Sequence, residues 1–155
     1  MRRPVSQLDE LSRPASHYTK VRLVPDTGTK GRKGIGMIGL VLTLGVGVLH
    51  LYILWLEMFA WEAPRTRAAF GTTPEFAAAT RVLAANQGLY NGFLAAGLFW
   101  AAVSGLPGAG VPIAAFFLTC VIVAGLYGGA TASRRIIFVQ ALPAGLALAS
   151  VLLGI

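Results

Sequence analysis

Four segments of the chain are long, apolar and almost free of charge, and they constrain its fold more than any other feature. A helix needs about 20 apolar residues to cross the hydrocarbon core of a membrane. Length and the lack of charge distinguish such a helix from the shorter buried helix of a soluble protein. The sequence therefore predicts an all-α fold, a four-helix up-down transmembrane bundle, with helices at about 35–61, 74–103, 111–130 and 135–155.

The composition favours the same class of protein. Of the 155 residues, 55% are hydrophobic and 12% are charged, whereas about 25% of the residues of a soluble domain are charged. Residues 1–34 differ from the rest, because they are polar and basic, contain Pro4, Pro14 and Pro25, and show no helical periodicity. We interpret them as a disordered tail that precedes a membrane domain at 35–155.

The basic residues are unevenly distributed. The net charge is +7, and eight of the thirteen Lys and Arg residues precede residue 35. The tail lacks the interleaved aromatic side chains typical of nucleic-acid binding, so we predict membrane lipids, and no nucleic acid, as its partner. The other five basic residues lie in or beside connections that an up-down bundle places on one side: Arg65, Arg67, Arg81, Arg134 and Arg135.

Charge near the spans decides orientation. The arginines of the connections outnumber Lys30, Arg32 and Lys33, which directly precede the first span, and this favours connections in the cytoplasm and both termini outside. Counting the whole tail favours the opposite orientation, so the side of the termini stays open.

Local signals mark three boundaries. Thr73-Pro74-Glu75 is typical of a helix start, with a capping hydroxyl, proline at the first position and an acid in the first turn. Pro64 and Gly71 predict the start and end of a short helical turn. Pro143 lies inside the fourth apolar segment and frees the carbonyl of Val139, which predicts a kink that Gln140 helps to satisfy.

Small residues at a spacing of four predict close helix packing, within the bundle or in a homodimer. They are Ala84, Gly88, Gly92 and Ala96 in the second predicted helix, Gly125 and Gly129 in the third, and Ala141, Gly145 and Ala149 in the fourth.

Polar residues gather toward the ends of the helices that meet the 62–81 connection. His50 and Glu57 are seven residues apart in the first helix, so they share a face two turns apart. Ionisable groups within a membrane segment are costly and mark candidate functional sites. The sequence predicts a polar pocket near one membrane face, formed by His50, Glu57, Asn86, Gln87, Tyr90, Asn91, Tyr127, Arg135 and Gln140.

Three functions fit such a pocket. The first is binding or transport of a small or lipid-like molecule, centred on Glu57. The second is a membrane enzyme in which Glu57 and His50 carry out acid–base chemistry, and the third is a structural protein in which polar groups only join helices. With one cysteine, two histidines and no phosphate-binding glycine motif, the sequence predicts no metal and no cofactor, and an enzyme is the less favoured class.

Several motifs resemble a known family. HLYILWLEMFAW, FGTTPEF, TRVLAANQGLYNGFLAAGLFW and VAGLYGGATASRRIIFVQALPA are similar to the small bacterial membrane proteins known as domain of unknown function thirteen-hundred-and-four. The similarity covers about residues 37–155. It implies a four-helix, multi-pass protein of the bacterial inner membrane and carries no known activity. The tail at 1–34 departs from the family pattern. The matching motif residues are His50, Glu57, Asn86, Gln87, Asn91 and Gln140.

Overall fold

The computed structural model describes residues 36–155, so the tail that we predict to be disordered lies outside the described residues. Within that range the chain is all-α, as predicted, and has no strand. The helices are α1 (Met37–Phe59), α2 (Pro64–Phe70), α3 (Pro74–Val103), α4 (Gly110–Thr131) and α5 (Leu142–Leu153), and a π-helical turn (Ile137–Ala141) leads directly into α5.

The connection between α1 and α3 is itself folded. Gly71, with φ +68°, ends α2 in the left-handed conformation that glycine adopts without strain. Thr73 then caps α3, because its hydroxyl accepts a hydrogen bond from the N–H of Phe76 at 3.2 Å. Pro74 occupies the first helical position, where its missing N–H costs nothing. In the structure α2 thus begins at Pro64 and α3 at Pro74.

Trp61 fixes this connection over the first turns of α3. Its indole Nε1 donates to Thr80 Oγ1 at 3.2 Å, and its ring meets Phe70 edge to face with 5.0 Å between centroids. Thr66 of α2 is almost fully buried. The short helix therefore packs onto the protein instead of extending into solvent.

The four longer helical segments pack as a closed ring in which neighbours run antiparallel. α1 and α4 each pack against both α3 and α5. The N–H of Gly39, near the start of α1, donates to the carbonyl of Ile155, after α5, at 2.8 Å. Gly88, in the first half of α3, lies against Glu57, near the end of α1. The connections 60–73 and 132–136 consequently lie at one end, which we call the loop end.

The interior is built mostly from small residues. Alanines and glycines bring the helix backbones close together, and a few larger side chains fill the remaining space. The central cluster consists of Val46, Leu98, Ala101, Ala114, Leu118, Val121, Ala144, Ala147 and Val151.

The predicted packing stripes are correct in part. Gly88 on α3 and Gly125 and Gly129 on α4 are buried, but Ala96 and Ala149 are exposed. A spacing of four drifts around a helix of 3.6 residues per turn, so a stripe that faces one neighbour alternates between spacings of three and four. On α3 the buried stripe is Ala84, Gly88, Asn91, Ala95 and Leu98.

The irregularity predicted at Pro143 is present as the π turn. The N–H of Leu142 donates to the carbonyl of Ile137, five residues back, directly before the proline that has no N–H to give. A widened turn of this kind is a common cause of helix bending.

Two helices, α1 and α4, are long and apolar enough to cross a membrane. The segment Ile137–Leu153 is apolar but shorter. α3 has 30 residues, and its apolar sequence is interrupted by polar ones, among them Arg81, Asn86 and Asn91. Length and composition therefore support two of the four predicted spans.

Candidate functional site

The centre of the candidate site is a buried carboxyl–amide pair. Glu57 of α1 and Asn91 of α3 are each 7% exposed. The amide Nδ2 of Asn91 donates to Glu57 Oε2 at 2.8 Å, and it also lies 3.2 Å from the backbone carbonyl of Gln87, one turn back. An amide has two N–H groups, so both contacts are satisfied at once. This bond joins α1 to α3 within the interior.

Gly88 makes the pairing possible. A Cβ at this position would lie 2.7 Å from Met58 Cγ, 3.1 Å from Glu57 Cβ and 3.1 Å from the carbonyl oxygen of Leu54. The backbone of α3 therefore lies directly against α1 at the level of Glu57. Asn91, almost one turn further along α3, is thereby brought within hydrogen-bonding distance of the carboxyl.

The carboxyl of Glu57 faces an amide and no cation among the described residues. In that part of the chain, Asn91 is its hydrogen-bond partner through Oε2, whereas Oε1 has no partner and is not fully buried. The ion pair found there is instead Arg81 with Glu62, at 3.7 Å on the surface. A buried acid with one free oxygen retains the capacity to bind a further donor.

His50 is buried but does not pair with Glu57. It is 1% exposed, and its Nδ1 lies 2.8 Å from the backbone carbonyl of Val46. In a neutral ring this contact places the proton on Nδ1 and leaves Nε2 as an acceptor. Seven residues of helix separate the two side chains by about 10.5 Å along the axis. The geometry does not form an acid–base dyad.

Thr43 lies on the same buried face of α1 as His50 and Glu57, and it was not among the predicted site residues. It is fully buried, and its hydroxyl has no partner among the described residues. Thr43, His50 and Glu57 recur every seven residues on the buried face of α1. The signal was present in the sequence, since the spacing of His50 and Glu57 extends one step back to a hydroxyl.

The other predicted pocket residues are not gathered around Glu57. The side chains of five of them are exposed: Asn86, Gln87, Tyr90, Tyr127 and Arg135. Gln140 is half-buried. The structure thus brings together Glu57 and Asn91, places His50 two turns away on the same face, and leaves the rest at or near the surface. Similar depth along the helices did not ensure that the side chains point inward.

The cavities described by the structure lie elsewhere. A cavity of about 10 Å³ is enclosed by Gly39, Pro107, Val151 and their neighbours, at the end opposite the loop end. A groove of about 760 Å³ lies along α4, and its described lining is Ala115, Phe116, Thr119, Cys120, Val123, Ala124 and Tyr127. Neither includes Glu57 or Asn91. The described residues also contain no group of three His, Cys, Asp or Glu side chains able to hold a metal.

These features define a class of protein: all-helical, tightly packed through small residues, with a carboxyl–amide pair in the interior and helices long enough to cross a membrane. The chain belongs to the family described as Protein of unknown function (DUF1304), which matches residues 44–152. That match confirms the resemblance seen in the motifs, and it includes His50, Glu57 and Asn91.

A relative shows how far this similarity extends. The chain is 33% identical over 116 residues to "Uncharacterized protein YpaA" of Lactococcus lactis subsp. lactis (strain IL1403). The aligned region covers 74% of this chain and 96% of that protein. No solved structure is significantly similar to the chain.

Proposed function

We propose that the chain is a multi-pass membrane protein whose four longer helical segments form a transmembrane bundle. In the most apolar 18-residue stretch of α1 only 33% of the residues are buried, and in that of α4 only 28%. A core helix of a soluble protein would be mostly buried. Apolar helices in which about two thirds of the residues are not buried favour a lipid environment.

The distribution of side-chain size supports the same proposal. Large apolar residues point outward on every long helix, with Val103 85% exposed, Val82 79% and Leu153 72%. Alanine and glycine make up much of the interior. Helices in a membrane associate through small residues that allow close approach, while large apolar side chains face lipid.

Within this bundle we propose that Glu57 and Asn91 form a binding site for a small amphiphilic molecule with a cationic head. The observation that carries the proposal is the Glu57 carboxyl, whose Oε2 accepts from one neutral donor and whose Oε1 is partly accessible and has no partner among the described residues. A cation would supply the missing partner of the acid, and an apolar body would suit the surrounding helices. A membrane protein with such a site is suited to carry its ligand, with Glu57 as the coupling carboxylate.

A second function is favoured by the packing at Gly88. Because α3 lies so close to Glu57, the pair could serve only to join α1 and α3 in register, each such bond contributing about 1 kcal/mol. The acid–base enzyme is less well supported, since Glu57 and His50 do not share a hydrogen bond.

The two functions respond differently to Glu57→Gln. Glutamine keeps the carbonyl oxygen that accepts from Asn91 but removes the charge. If the pair is structural, the variant unfolds at nearly the same temperature and nothing else changes. If the pair binds a cation, stabilisation by ligand disappears.

The experiment measures thermal unfolding of the purified protein in a nonionic detergent with dodecyltrimethylammonium, and separately with dodecanol as the uncharged control. The expected result is stabilisation by the cation alone, lost in Glu57→Gln and kept in Glu62→Gln. Glu62 is a matched control because it is a surface acid five residues away. Equal stabilisation of both variants would contradict the proposal.

Transport is tested in proteoliposomes with an imposed proton gradient and tetraethylammonium as the probe. We expect uptake that depends on the gradient. Glu62→Gln should be as active as the unaltered protein, and Glu57→Gln should be inactive. Proton-driven uptake that survives Glu57→Gln would exclude the carrier role of this acid.

A further inference from the structure

The groove along α4 is a separate feature of the surface, away from the Glu57 pair. Its seven described lining residues lie on one face of the helix, between Ala115 and Tyr127. The opposite face of α4 carries Leu118, Val121 and Gly125, which are buried against the neighbouring helices. The groove thus faces away from the interior, toward the surroundings of the bundle.

The groove has the length and chemistry of a site for an acyl chain. The twelve residue-to-residue rises from Ala115 to Tyr127 extend over about 18 Å. One leaflet of a membrane has about 15 Å of hydrocarbon, half of a core about 30 Å thick. The lining is apolar except for the hydroxyls of Thr119 and Tyr127 and the thiol of Cys120. Thr119 donates its hydroxyl to the carbonyl of Ala115 at 2.7 Å, so it presents little polarity to the groove.

Two arginines lie at the loop end, beyond the last residue of this groove. Beyond Tyr127, α4 ends at Thr131, and Arg134 and Arg135 follow at the loop end. Both arginines are exposed, and neither forms an ion pair with a described residue. Tyr127, which is 72% exposed, has the amphipathic ring typical of the boundary between lipid tails and headgroups.

We propose that this surface binds an anionic phospholipid, with one acyl chain in the α4 groove and its phosphate on Arg134 and Arg135. Guanidinium groups bind phosphate in a bidentate manner. A zwitterionic lipid also carries a phosphate, but its own cationic group lies beside that phosphate and competes with the arginines. The proposal rests on the membrane location proposed above but not on ligand binding at Glu57.

The test is native mass spectrometry of the full chain released from a nonionic detergent, with phosphatidylglycerol or phosphatidylcholine of identical acyl chains added. We expect phosphatidylglycerol to be retained at lower concentration. Arg134→Gln with Arg135→Gln is expected to weaken its binding about tenfold or more, since each arginine contributes to the attraction. The matched control is Arg65→Gln with Arg67→Gln, two arginines of the other connection at the same end.

A groove variant separates the tail from the headgroup. Ala124→Leu fills the middle of the groove and is expected to weaken retention of both lipids while leaving the preference for phosphatidylglycerol. Equal binding of the two lipids, or equal loss in the Arg65/Arg67 control, would overturn the proposal in favour of diffuse charge attraction. Cross-linking of two chains through Cys120 by a short bismaleimide would overturn it in favour of a second copy on this face.

The outcome is independent of the Glu57 site. Glu57→Gln is expected to retain phosphatidylglycerol as the unaltered chain does, whatever its response to dodecyltrimethylammonium. Each variant is also extracted from membranes with alkaline carbonate, so that a failure of membrane insertion is recognised as such and is not mistaken for loss of the lipid site.

Discussion

At the scale of single residues, an interior hydrogen bond between two side chains joins α1 to α3. Glu57 is buried in an apolar bundle and is held by the amide of Asn91 at 2.8 Å. A buried polar group that loses its partner is costly, because no water replaces the bond. The partner residue is therefore the place to test the pair without altering the acid itself.

Asn91→Leu is expected to lower the free energy of unfolding by about 1–3 kcal/mol, because Glu57 Oε2 loses its donor. Asn86→Leu is the matched control, since Asn86 lies on the same helix but is exposed, and it should change stability little. The measurement is chemical unfolding in detergent micelles. A control variant that is as destabilised as Asn91→Leu would show that the hydrogen bond is not the cause.

Both residues of this pair were among the nine predicted for the pocket, but five of the other seven are exposed. The spacing of His50 and Glu57 predicted a shared buried face, which the structure shows. The depth of Asn91 along its helix was also predicted, but depth does not fix rotation about the helix axis. Residues next to the buried stripe, such as Tyr90, are rotated by about 100° from it and reach the surface.

At the scale of helices, close approach of backbones determines how α1 and α3 fit together. The predicted stripe included Gly88, where no side chain fits, but it also included Ala96, which is exposed. Residues at a regular spacing of four stay on one face of a helix over only about two turns. The crossing of the two helices then decides which residues stay in contact, and a single sequence does not specify that crossing.

Gly88→Ala is expected to destabilise the protein by about 1–3 kcal/mol, because the added Cβ would meet Met58, Glu57 and the backbone of Leu54. Gly45→Ala is the control, since a Cβ at Gly45 meets nothing within 4 Å. It should be neutral or slightly stabilising, as alanine favours a helix more than glycine does. Thermal unfolding of both variants decides the matter, and similar midpoints would contradict the close approach.

The cap of α3 offers a second test at this scale. Thr73→Ala removes the acceptor for the N–H of Phe76 and is expected to cost about 0.5–2 kcal/mol. Thr73→Asp should restore stability, because an acid caps the same N–H groups and suits a helix N-terminus. Hydrogen exchange at the first turn of α3 would report the change locally, and failure of the aspartate to rescue would exclude capping as the cause.

At the scale of the whole molecule, the all-α class and the family followed from the sequence, whereas the number of spans did not. α1 and α4 meet the length and apolarity of a span, but α3 carries polar residues and the fourth segment contains the π turn. Pro143 gave the signal for that irregularity. Gly125 and Gly129 of α4 pack against Ala141 and Ile137 of the widened turn, a contact that the position of the proline alone does not specify.

The proposed bundle predicts which connections share a side of the membrane. In a Cys120→Ala background, single cysteines replace Arg65, Arg134 or Ser104, and an impermeant maleimide is applied to sealed vesicles. The cysteines at 65 and 134 should react from the same side and that at 104 from the other, because neighbouring helices run antiparallel. Labelling of 104 together with 65 would contradict four spans, and the reactive side would show which termini arrangement is correct.

The position of Asn91 in the chain also has a consequence for biosynthesis. A ribosome delivers α1 first and α3 next, so the acid of Glu57 meets its amide within the first helical hairpin. The contact between Gly39 and Ile155 forms only after α5 has been synthesised. A nascent chain that ends after α3 should therefore already bury the Glu57 carboxyl against Asn91, whereas the start of α1 gains its contact with Ile155 only once α5 has followed.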